Sequence, residues 1–418
     1  MLILSRIWHP FTQHALADPP IPVAKAERAY LYTKDGRRII DAISSWWVNT
    51  HGHCHPHIVK AVQEQAAKLD QVIFAGFTHD PAEALTEKLV RVAPPGLEHV
   101  FFSDSGSICV EVGLKMAVGF HHHSGKARKR VLALEHGYHG DTFGAMALGA
   151  RGGFSDVYKD FLFDVTRLPF PGGTLEVLER ELVADPEGFA AFVFEPLVLG
   201  AGGMLMYSAD LLKNMCDLCR RHGVLLIADE VMTGWGRTGT MFACEQAGVT
   251  PDILCLSKGL TGGFLPLAAT LCTPEIYGAF FAPDRRKTFF HSSSYTANPL
   301  ACAAAAANLD IWEKEPVLER IRLVAEGHKK HLSRFIGRSD VTGIRQTGTI
   351  AALDIVTDKA GYFSGLGPVL YKFFLERGIL LRPLGNTVYI LPPYCITEDD
   401  LKDVYDALRE ALDFIRKH

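Results

Sequence analysis

The middle of the chain alternates short apolar runs with segments in which apolar residues recur at every third or fourth position. Six of the runs are short and rich in Val, Ile, Leu, Phe or Ala, as buried strands are: residues 100–102, 131–134, 191–194, 224–228, 253–256 and 268–271. Between them, residues 111–120 and 209–221 have the spacing of amphipathic helices. This order predicts an α/β fold in which helices flank a central, mostly parallel sheet.

Both ends of the chain follow a different pattern. Residues 30–32 and 38–42 predict two short strands around the turn Lys34-Asp35-Gly36. The last hundred residues predict two amphipathic helices and two short strands, at residues 316–336, 398–417, 349–353 and 387–391. We therefore expect a smaller α+β domain made from both chain ends, beside one large domain. The expected boundaries give residues 1–57 and 310–418 to the small domain and 58–309 to the large one.

Composition excludes several classes of function. The 43 basic and 47 acidic residues give a net charge of −4, and no long basic run predicts a nucleic-acid or membrane partner. No apolar run approaches the roughly 20 residues of a membrane span. The nine cysteines are scattered and odd in number, which favours free thiols in a reducing compartment. We expect a cytoplasmic protein without structural disulfides.

Two of the predicted strands lead into residues that carry chemistry. The run 224–228 is followed by Asp229, and the run 253–256 by Ser257-Lys258-Gly259. Ligands bind at such strand ends in α/β sheets. A lysine and an acid facing one cleft suit pyridoxal 5'-phosphate (PLP), because the lysine binds the cofactor aldehyde while the acid keeps the ring nitrogen protonated. A salt bridge or a solvated loop lysine is the alternative interpretation.

Two further segments fit the same cofactor. The turn Ser103-Asp104-Ser105-Gly106-Ser107 precedes a helical pattern, and the N–H groups and hydroxyls of a helix N-terminus bind phosphate. Ordinary helix capping is the alternative for these serines. Tyr138 follows the run 131–134 and has a ring that would stack on a pyridine, although packing at the surface explains it equally well.

The blocks Ala228-Asp229-Glu230-Val231, Thr233-Gly234-Trp235-Gly236-Arg237-Thr238-Gly239 and Ser257-Lys258-Gly259 resemble the class III aminotransferases, which are fold-type I PLP enzymes. The resemblance implies that Lys258 holds the cofactor, that Asp229 partners the ring nitrogen and that Tyr138 stacks on the ring. It further implies a homodimer with active sites at the interface. The residues implied to hold the phosphate are Ser105, Gly106 and Ser107, with Ser294 and its companion Ser293 reaching in from the neighbouring subunit.

Other blocks, among them Trp8-His9-Pro10 and Ser44-Ser45-Trp46-Trp47, resemble the branch of this family that converts 8-amino-7-oxononanoate to 7,8-diaminononanoate in biotin biosynthesis. Arg382 would then bind the substrate carboxylate, since a guanidinium pairs with it through two hydrogen bonds. The other residues expected to contact substrate are Phe11, Trp46, Trp47, Tyr138, Ser292 and Tyr389. Phe11 stands where many of these enzymes carry tyrosine, and Leu199 where glutamine is common.

The expected amino donor is S-adenosyl-L-methionine, with lysine as the alternative. Ser-Ser-Trp-Trp favours S-adenosyl-L-methionine, whereas His291-Ser292-Ser293-Ser294-Tyr295 is similar to relatives that use lysine. An aminotransferase for ω-amino acids, ornithine or a diamine would share every cofactor residue. A nicotinamide dehydrogenase is disfavoured because no strand is followed by the dinucleotide glycine fingerprint.

Several histidines and cysteines resemble metal ligands. They are His51, His53, Cys54, His55 and His57, the triplet His121 to His123, and the pair Cys216 and Cys219. Their spacing matches no standard zinc site, and the pair lies in an amphipathic helix without a second pair. We therefore expect no metal. A metal-binding or storage protein is the alternative outside enzymes.

Overall fold

The computed structural model describes residues 6–417, so residues 1–5 and 418 of the predicted small domain lie outside the described part. Within it, the strands are β1 (Val23–Glu27), β2 (Tyr30–Thr33), β3 (Arg38–Asp41), β4 (His99–Ser103), β5 (Arg130–Leu134), β6 (Thr166–Leu168), β7 (Phe189–Phe194), β8 (Val198–Leu199), β9 (Leu205–Met206), β10 (Leu225–Asp229), β11 (Ile253–Leu256), β12 (Ala268–Cys272), β13 (Val341–Thr347), β14 (Ile350–Ile355), β15 (Ile379–Leu380) and β16 (Thr387–Ile390).

The α-helices of the described residues are α1 (Ser44–Trp47), α2 (Pro56–Ala66), α3 (Asp80–Val92), α4 (Gly106–His123), α5 (Phe143–Leu148), α6 (Thr174–Ala184), α7 (Ala209–Arg221), α8 (Pro274–Phe280), α9 (Pro299–Lys314), α10 (Val317–Leu332), α11 (Leu366–Glu376) and α12 (Glu398–Ile415). The helix predicted over 209–221 has these same bounds. The one predicted over 316–336 ends earlier, and a 3₁₀ turn over Ser333–Phe335 completes it.

A seven-stranded sheet forms the centre of the molecule, in the order β4-β12-β11-β10-β7-β5-β6. All six strands predicted for the middle of the chain belong to it. Only β12 runs antiparallel to its two neighbours, so the prediction of a mostly parallel sheet is confirmed. The seventh strand, β6, was not predicted, because three residues containing one arginine give no apolar run.

Helices cover both faces of this sheet. Alternate residues of β10 point to opposite sides, so Ile227 packs in the cluster that includes α4, while Leu226 and Ala228 pack in the larger core on the other face. Each face is therefore buried, which explains why the strands read as continuous apolar runs. The central sheet with helices on both faces is the α/β architecture that the sequence predicts.

The two chain ends meet in one sheet. The predicted hairpin forms as β2 and β3, and β15 from the C-terminal part pairs in parallel with β3, with Ile379 opposite Ile40. A separate antiparallel sheet has the order β13-β14-β16. The expected boundary between residues 309 and 310 falls inside α9. The division of the chain into two domains remains a prediction.

None of the helices found in residues 6–417 is both long and apolar enough to cross a bilayer.

Candidate active site

Four neighbouring parallel strands each deliver one functional group to the same edge of the sheet. In the order β11, β10, β7 and β5, the groups at or just beyond their carboxyl ends are Lys258, Asp229, Glu195 and His139. Asp229 pairs in register with Cys255, which places Lys258 only three residues beyond that register position. The sheet thus brings together residues that are up to 119 positions apart in the sequence.

The term cleft is used here for the region that runs from Lys258 along Trp47 and the adjacent Trp46 to Arg382, and Lys258 lies at its inner end. Its backbone has a left-handed φ of 47°, and its Nζ lies 4.6 Å from the centre of the Trp47 ring. Burial lowers the pKa of Lys258 to about 8, although the negative charges of Asp229 and Glu195 oppose that shift. Among residues 6–417, its amine forms no ion pair or hydrogen bond, so no protein group competes with a ligand for it.

A buried amide holds the loop that presents this lysine. The Nδ2 group of Asn308, on α9, donates to the carbonyl oxygens of Gly259 and Leu260 at 3.0 and 3.1 Å. These two carbonyls belong to the residues that directly follow Lys258, the residue with the left-handed backbone conformation. The hydrogen bonds therefore offset part of the cost of the left-handed lysine.

Asp229 is held by a histidine. His139 Nδ1 lies 2.7 Å from Asp229 Oδ2, and both side chains are almost fully buried. Burial alone would lower the pKa of His139, but the hydrogen bond and charge of Asp229 raise the pKa overall. Glu195 lies close enough to contribute, and burial raises its own pKa to about 7. The hydrogen bond and charge of Asp229 therefore favour the protonated form of the His139 imidazole.

The adjacent carboxylate has a different task. Glu230 accepts hydrogen bonds from Thr233 Oγ1 and from the backbone N–H groups of Ala243 and Cys244, at 2.9, 2.9 and 2.8 Å. Burial raises the pKa of Glu230 to about 7. These bonds fix the loop that follows β10, so Glu230 is engaged within the fold rather than in the cleft.

The N-terminus of α4 forms a cradle next to the acid. Ser105 caps the helix, because its side chain accepts from the N–H of Ile108. Ser107 Oγ accepts from the N–H of Asp141 at 3.1 Å. A Cβ on Gly106 would lie 2.8 Å from Val231 Cγ1, so only a glycine lets the helix start approach the strand that ends in Asp229.

Tyr138 lies between the cradle and Glu195. Its N–H donates to Glu195 Oε1 at 2.9 Å, and its side chain is half-buried. Burial, and then the charge of Asp141, raise the pKa of the Tyr138 phenol. Its ring stacks on no other aromatic ring in residues 6–417, which suits a role against a planar ligand.

These groups fit PLP. An amine whose pKa is lowered by burial suits the cofactor aldehyde, and a carboxyl group held by His139 suits the ring nitrogen. The start of an 18-residue helix with Gly106 and Ser107 suits the phosphate. The chemistry of the donor set thus matches all three ends of the cofactor.

The two tryptophans diverge although they are adjacent. Ser44, Ser45 and Trp47 all have φ between 50° and 70°, so the chain turns sharply at α1. Trp47 is buried, and its Nε1–H donates to the hydroxyl of Tyr389 at 3.0 Å. Trp46 is 38% exposed. The two tryptophans expected to contact substrate therefore differ in position, with Trp47 beside the lysine and Trp46 facing outwards. Tyr389 is itself only 2% exposed and packs edge-to-face on Trp47.

Arg382 lies at the outer end of the cleft. Its guanidinium carbon is 5.1 Å from the centre of the Trp46 ring, and its Nη2 donates to the backbone oxygen of Phe11 at 3.2 Å. The Phe11 and Trp46 rings lie 5.6 Å apart. No carboxylate in residues 6–417 forms an ion pair with Arg382, so its charge is available to an anionic ligand.

The segment around the three serines contacts residues next to the cradle within the same chain. Ser293 Oγ donates to Asp104 Oδ2 at 2.8 Å, and Gln71 Nε2 donates to the backbone oxygen of Ser294 at 2.9 Å. Ser292 Oγ donates to the neighbouring carbonyl of Ser293. The side chains of Ser292 and Ser294 are exposed.

Sequence reasoning missed His139, Glu195 and Asn308 as site residues. A weak signal existed for the first two, because each follows a predicted strand of the sheet, as Asp229 and Lys258 do. Asn308 lies within α9, fifty residues beyond the lysine, and no local pattern connects it to the lysine loop.

The candidate metal ligands have other contacts. His53 Nε2 lies 2.8 Å from Asp41, His57 Nε2 lies 3.1 Å from Asp310, and His121 Nε2 lies 3.0 Å from the carbonyl oxygen of Ala190. Within residues 6–417, no group of three His, Cys, Asp or Glu side chains is arranged to hold a metal ion.

Comparisons with known proteins extend this description. Residues 12–412 match the family described as aminotransferase class-III. The adenosylmethionine-8-amino-7-oxononanoate aminotransferase of Synechococcus elongatus is 47% identical over 98% of this chain and 99% of that protein. The crystal structure of the protein of that name from Methanocaldococcus jannaschii has a TM-score of 0.94 and 35% identity, covering 98% and 97% of the two chains.

An amine transaminase from an uncultivated Pseudomonas species, solved in its PLP-bound form, is also similar. It has a TM-score of 0.92 and 32% identity, and 98% of each chain is covered.

Proposed function

The chain belongs to the class-III aminotransferase family, and on that premise we propose that it transfers an amino group to the ketone of 8-amino-7-oxononanoate, forming 7,8-diaminononanoate for biotin biosynthesis. The chain is a PLP-dependent transaminase. One observation carries the choice of acceptor: Arg382, without a carboxylate partner in residues 6–417, lies beside Trp46 at the far end of a cleft that begins at Lys258. A substrate with a ketone at one end and a carboxylate at the other suits this arrangement.

The proposed amino donor is S-adenosyl-L-methionine, the compound in the names of the similar proteins from Synechococcus elongatus and Geobacter sulfurreducens. Its α-amino group would be exchanged for a ketone, and the same amino group would then pass to the acceptor. Because donor and acceptor use one cleft in turn, the kinetics should be ping-pong.

Lys258 has two tasks in this proposal. It would hold the cofactor through its aldehyde between turnovers, and as a free amine it would move a proton to or from the reacting carbon of the substrate. Its lowered pKa favours the neutral amine that accepts the proton. The bound PLP would supply an electron-accepting ring and an aldehyde that carries the amino group.

The other inner residues would hold the cofactor in the orientation that this proton transfer requires. Asp229, supported by His139, would keep the ring nitrogen protonated. Gly106 and Ser107 would bind the phosphate at the start of α4, with Ser105 shaping that turn. Tyr138 would stack on the ring.

The substrate would lie along the aromatic side of the cleft. Trp46 and Phe11 would line the aliphatic chain and Trp47 its inner end, with Tyr389 supporting Trp47 from behind. Arg382 would bind the carboxylate. Excluding water from the aliphatic chain of the substrate would contribute roughly 0.8 kcal/mol of binding free energy per buried methylene.

We also propose a homodimer. In this assembly Ser294, with Ser293 beside it, would contribute to the phosphate site of the partner subunit, while Ser292 would reach towards the substrate. The side chains of Ser292 and Ser294 are exposed and thus accessible to a second subunit, which supports this assignment. Nine unpaired cysteines in the described residues suit the reducing conditions of the cytoplasm, where we place the reaction.

The decisive experiment is a donor panel. Enzyme loaded with PLP is mixed with 8-amino-7-oxononanoate and either S-adenosyl-L-methionine, lysine or a simple ω-amino acid, and 7,8-diaminononanoate is quantified by mass spectrometry. We expect product with the first donor. If only lysine yields product, the donor is lysine rather than S-adenosyl-L-methionine. If the enzyme aminates other ketones but not 8-amino-7-oxononanoate, the proposal is overturned. Acceptor methyl ester is the matched control for the role of the carboxylate.

A further inference from the structure

A row of aromatic rings continues the cleft outwards from Trp46. The Phe11 ring lies 5.6 Å from that of Trp46 and 6.0 Å from that of Phe154. The Phe154 ring in turn meets Tyr362 edge-to-face, with 4.4 Å between the ring centres. These four residues, here termed the aromatic row, come from four separate segments of the chain. Neither Phe154 nor Tyr362 has a role in the function described so far.

The loop that carries Tyr362 is seated on the loop that carries Arg382. The N–H of Gly361 donates to Asn386 Oδ1 at 2.8 Å. A Cβ on Gly385 would lie 1.9 Å from the carbonyl oxygen of Gly361, so the two loops approach as closely as only a glycine permits. The position of Tyr362 is therefore fixed relative to the proposed carboxylate anchor.

A second close approach fixes Phe154. The ring of Phe363 covers the backbone of Gly153, where a Cβ would lie 2.2 Å from the nearest ring atom. Phe363 also lies 5.9 Å from the Phe154 ring. The two segments thus pack on each other through neighbouring residues, and this packing presents the pair Phe154 and Tyr362 as a unit.

The row remains part of the same cleft. Its inner members contact Arg382: the Trp46 ring lies 5.1 Å from the guanidinium carbon, and the backbone oxygen of Phe11 accepts a hydrogen bond from Nη2. Phe154 keeps 45% of its surface exposed, so a large part of it can be covered by a ligand.

The two substrates differ in how they can use this surface. The acceptor ends in the carboxylate that Arg382 would bind, so nothing of it extends along the row beyond that point. A donor that carries a purine nucleoside has a large planar group to place there. Exposed aromatic rings bind such groups by stacking, which contributes substantially to the binding of nucleic-acid bases.

We propose that Phe154 and Tyr362 form a stacking site for the nucleoside of the amino donor and thereby set the preference for S-adenosyl-L-methionine over donors without a ring. This inference rests on the proposed function, since it concerns the same cleft. The two rings act as specificity determinants and take no part in proton transfer.

The test uses two sulfonium donors that differ only in the nucleoside. PLP-loaded enzyme without acceptor is mixed with S-adenosyl-L-methionine or with S-methylmethionine, and loss of the visible absorption of the lysine-bound cofactor is followed by stopped flow. Phe154→Leu and Tyr362→Leu keep apolar bulk but remove the aromatic face. We expect the second-order rate with S-adenosyl-L-methionine to fall about tenfold in each variant, and the rate with S-methylmethionine to stay within about twofold.

Matched variants separate stacking from damage to the loop. Phe161→Leu changes an exposed ring of the same segment that stacks on Phe143, outside the row, and should leave both donors unaffected. Tyr362→Phe keeps the ring and should react as the parent does. Calorimetric binding of 5′-methylthioadenosine, which has the nucleoside but no amino group, should weaken in Phe154→Leu by a similar factor.

Equal losses with both donors, or no loss with either, would overturn the inference. So would a parent enzyme that reacts no faster with S-adenosyl-L-methionine than with S-methylmethionine. The proposed function fails by a different result: the donor half-reaction proceeds but no donor yields 7,8-diaminononanoate from the acceptor. A parent enzyme that uses only lysine would overturn the stacking site and leave the acceptor assignment standing.

Discussion

The inner and outer ends of the cleft are built in opposite ways. At the inner end, Asp229 and His139 are buried, joined across 2.7 Å and delivered by strands of one sheet. At the outer end, Arg382 is joined to Phe11 by a single hydrogen bond between residues 371 positions apart. The contacts there are otherwise between partly exposed rings and the guanidinium.

This difference indicates how the two tasks of a transaminase are separated. Proton transfer requires groups fixed to within a fraction of an ångström, and strand ends in a buried sheet provide that precision. Substrate choice requires a surface that accepts a donor and an acceptor in turn, and loops can vary without disturbing the sheet. Changes at the inner end should therefore affect rate, and changes at the outer end affinity.

The largest effect should come from Lys258→Ala. Both the covalent link to PLP and the proton-transferring amine are lost, so turnover should fall by about 10⁴-fold or more, and the visible absorption of the lysine-bound cofactor should disappear. Steady-state assays and absorption spectra measure the two consequences. Lys213→Ala, which changes a lysine paired with Asp217 on the surface of α7, is the control. Turnover within tenfold of the parent would refute the role of Lys258.

Substitutions of the adjacent carboxylates Asp229 and Glu230 should change different quantities, turnover for the first and folding stability for the second. Asp229→Asn should lower turnover by about 10³-fold, because the ring nitrogen loses its anionic partner. Glu230→Gln should leave most of the turnover but cost about 1–3 kcal/mol of unfolding free energy, because its amide cannot accept every bond that Glu230 accepts. Turnover and urea unfolding are measured on both variants. The reversed pattern would contradict this view of the inner end.

At the outer end, Arg382→Leu should raise the KM of the acceptor by about 10- to 100-fold with a smaller change in kcat, since a charge-assisted hydrogen-bonded contact is lost. The methyl ester of the acceptor sharpens this test. The parent enzyme should discriminate acid from ester, and the variant should not. If the variant still prefers the acid by the same factor, another residue binds the carboxylate.

The pH dependence of the single-turnover rate should follow the protonation of Lys258 at the inner end of the cleft. In the amine form of the cofactor Lys258 is free, and burial lowers its pKa to about 8. The neutral amine accepts the proton, so its fraction falls about tenfold for each pH unit below 8 and changes little above it. Single-turnover rates with acceptor should follow this rise and plateau. A profile that falls as pH increases from 6 to 8 would contradict a neutral Lys258 base.

A small effect on turnover should come from Tyr389→Phe, because Tyr389 contacts the inner end only through Trp47. It removes the acceptor of the Trp47 Nε1–H bond, so a buried donor is left unpaired at a cost of about 1–3 kcal/mol in unfolding free energy. Turnover should fall only severalfold. Tyr371→Phe, beside Arg382, is the control and should change stability by less than about 0.5 kcal/mol. Equal losses in both variants would contradict the importance of this bond.

Much of the fold followed from local patterns. The six apolar runs became six strands of one sheet because continuous burial on both faces demands such runs. Lys258 and Asp229 could be paired in advance, since each follows or ends a strand and the ends of parallel strands share an edge. The strand β13 was missed, because its polar and partly exposed sequence gives no apolar run.

Other features depend on packing between distant segments. Nothing in the pair Trp46-Trp47 reveals which ring is buried, since that depends on the turn at Ser44 and on Tyr389, more than 340 positions away. The link between Asn308 and the lysine loop, like the contact of Phe154 with Tyr362, has no local signature. The spacing of apolar residues shows which side of a helix or strand is buried, because each buried position favours an apolar residue whatever its partner. The partner that a side chain meets is settled only when the whole chain has folded.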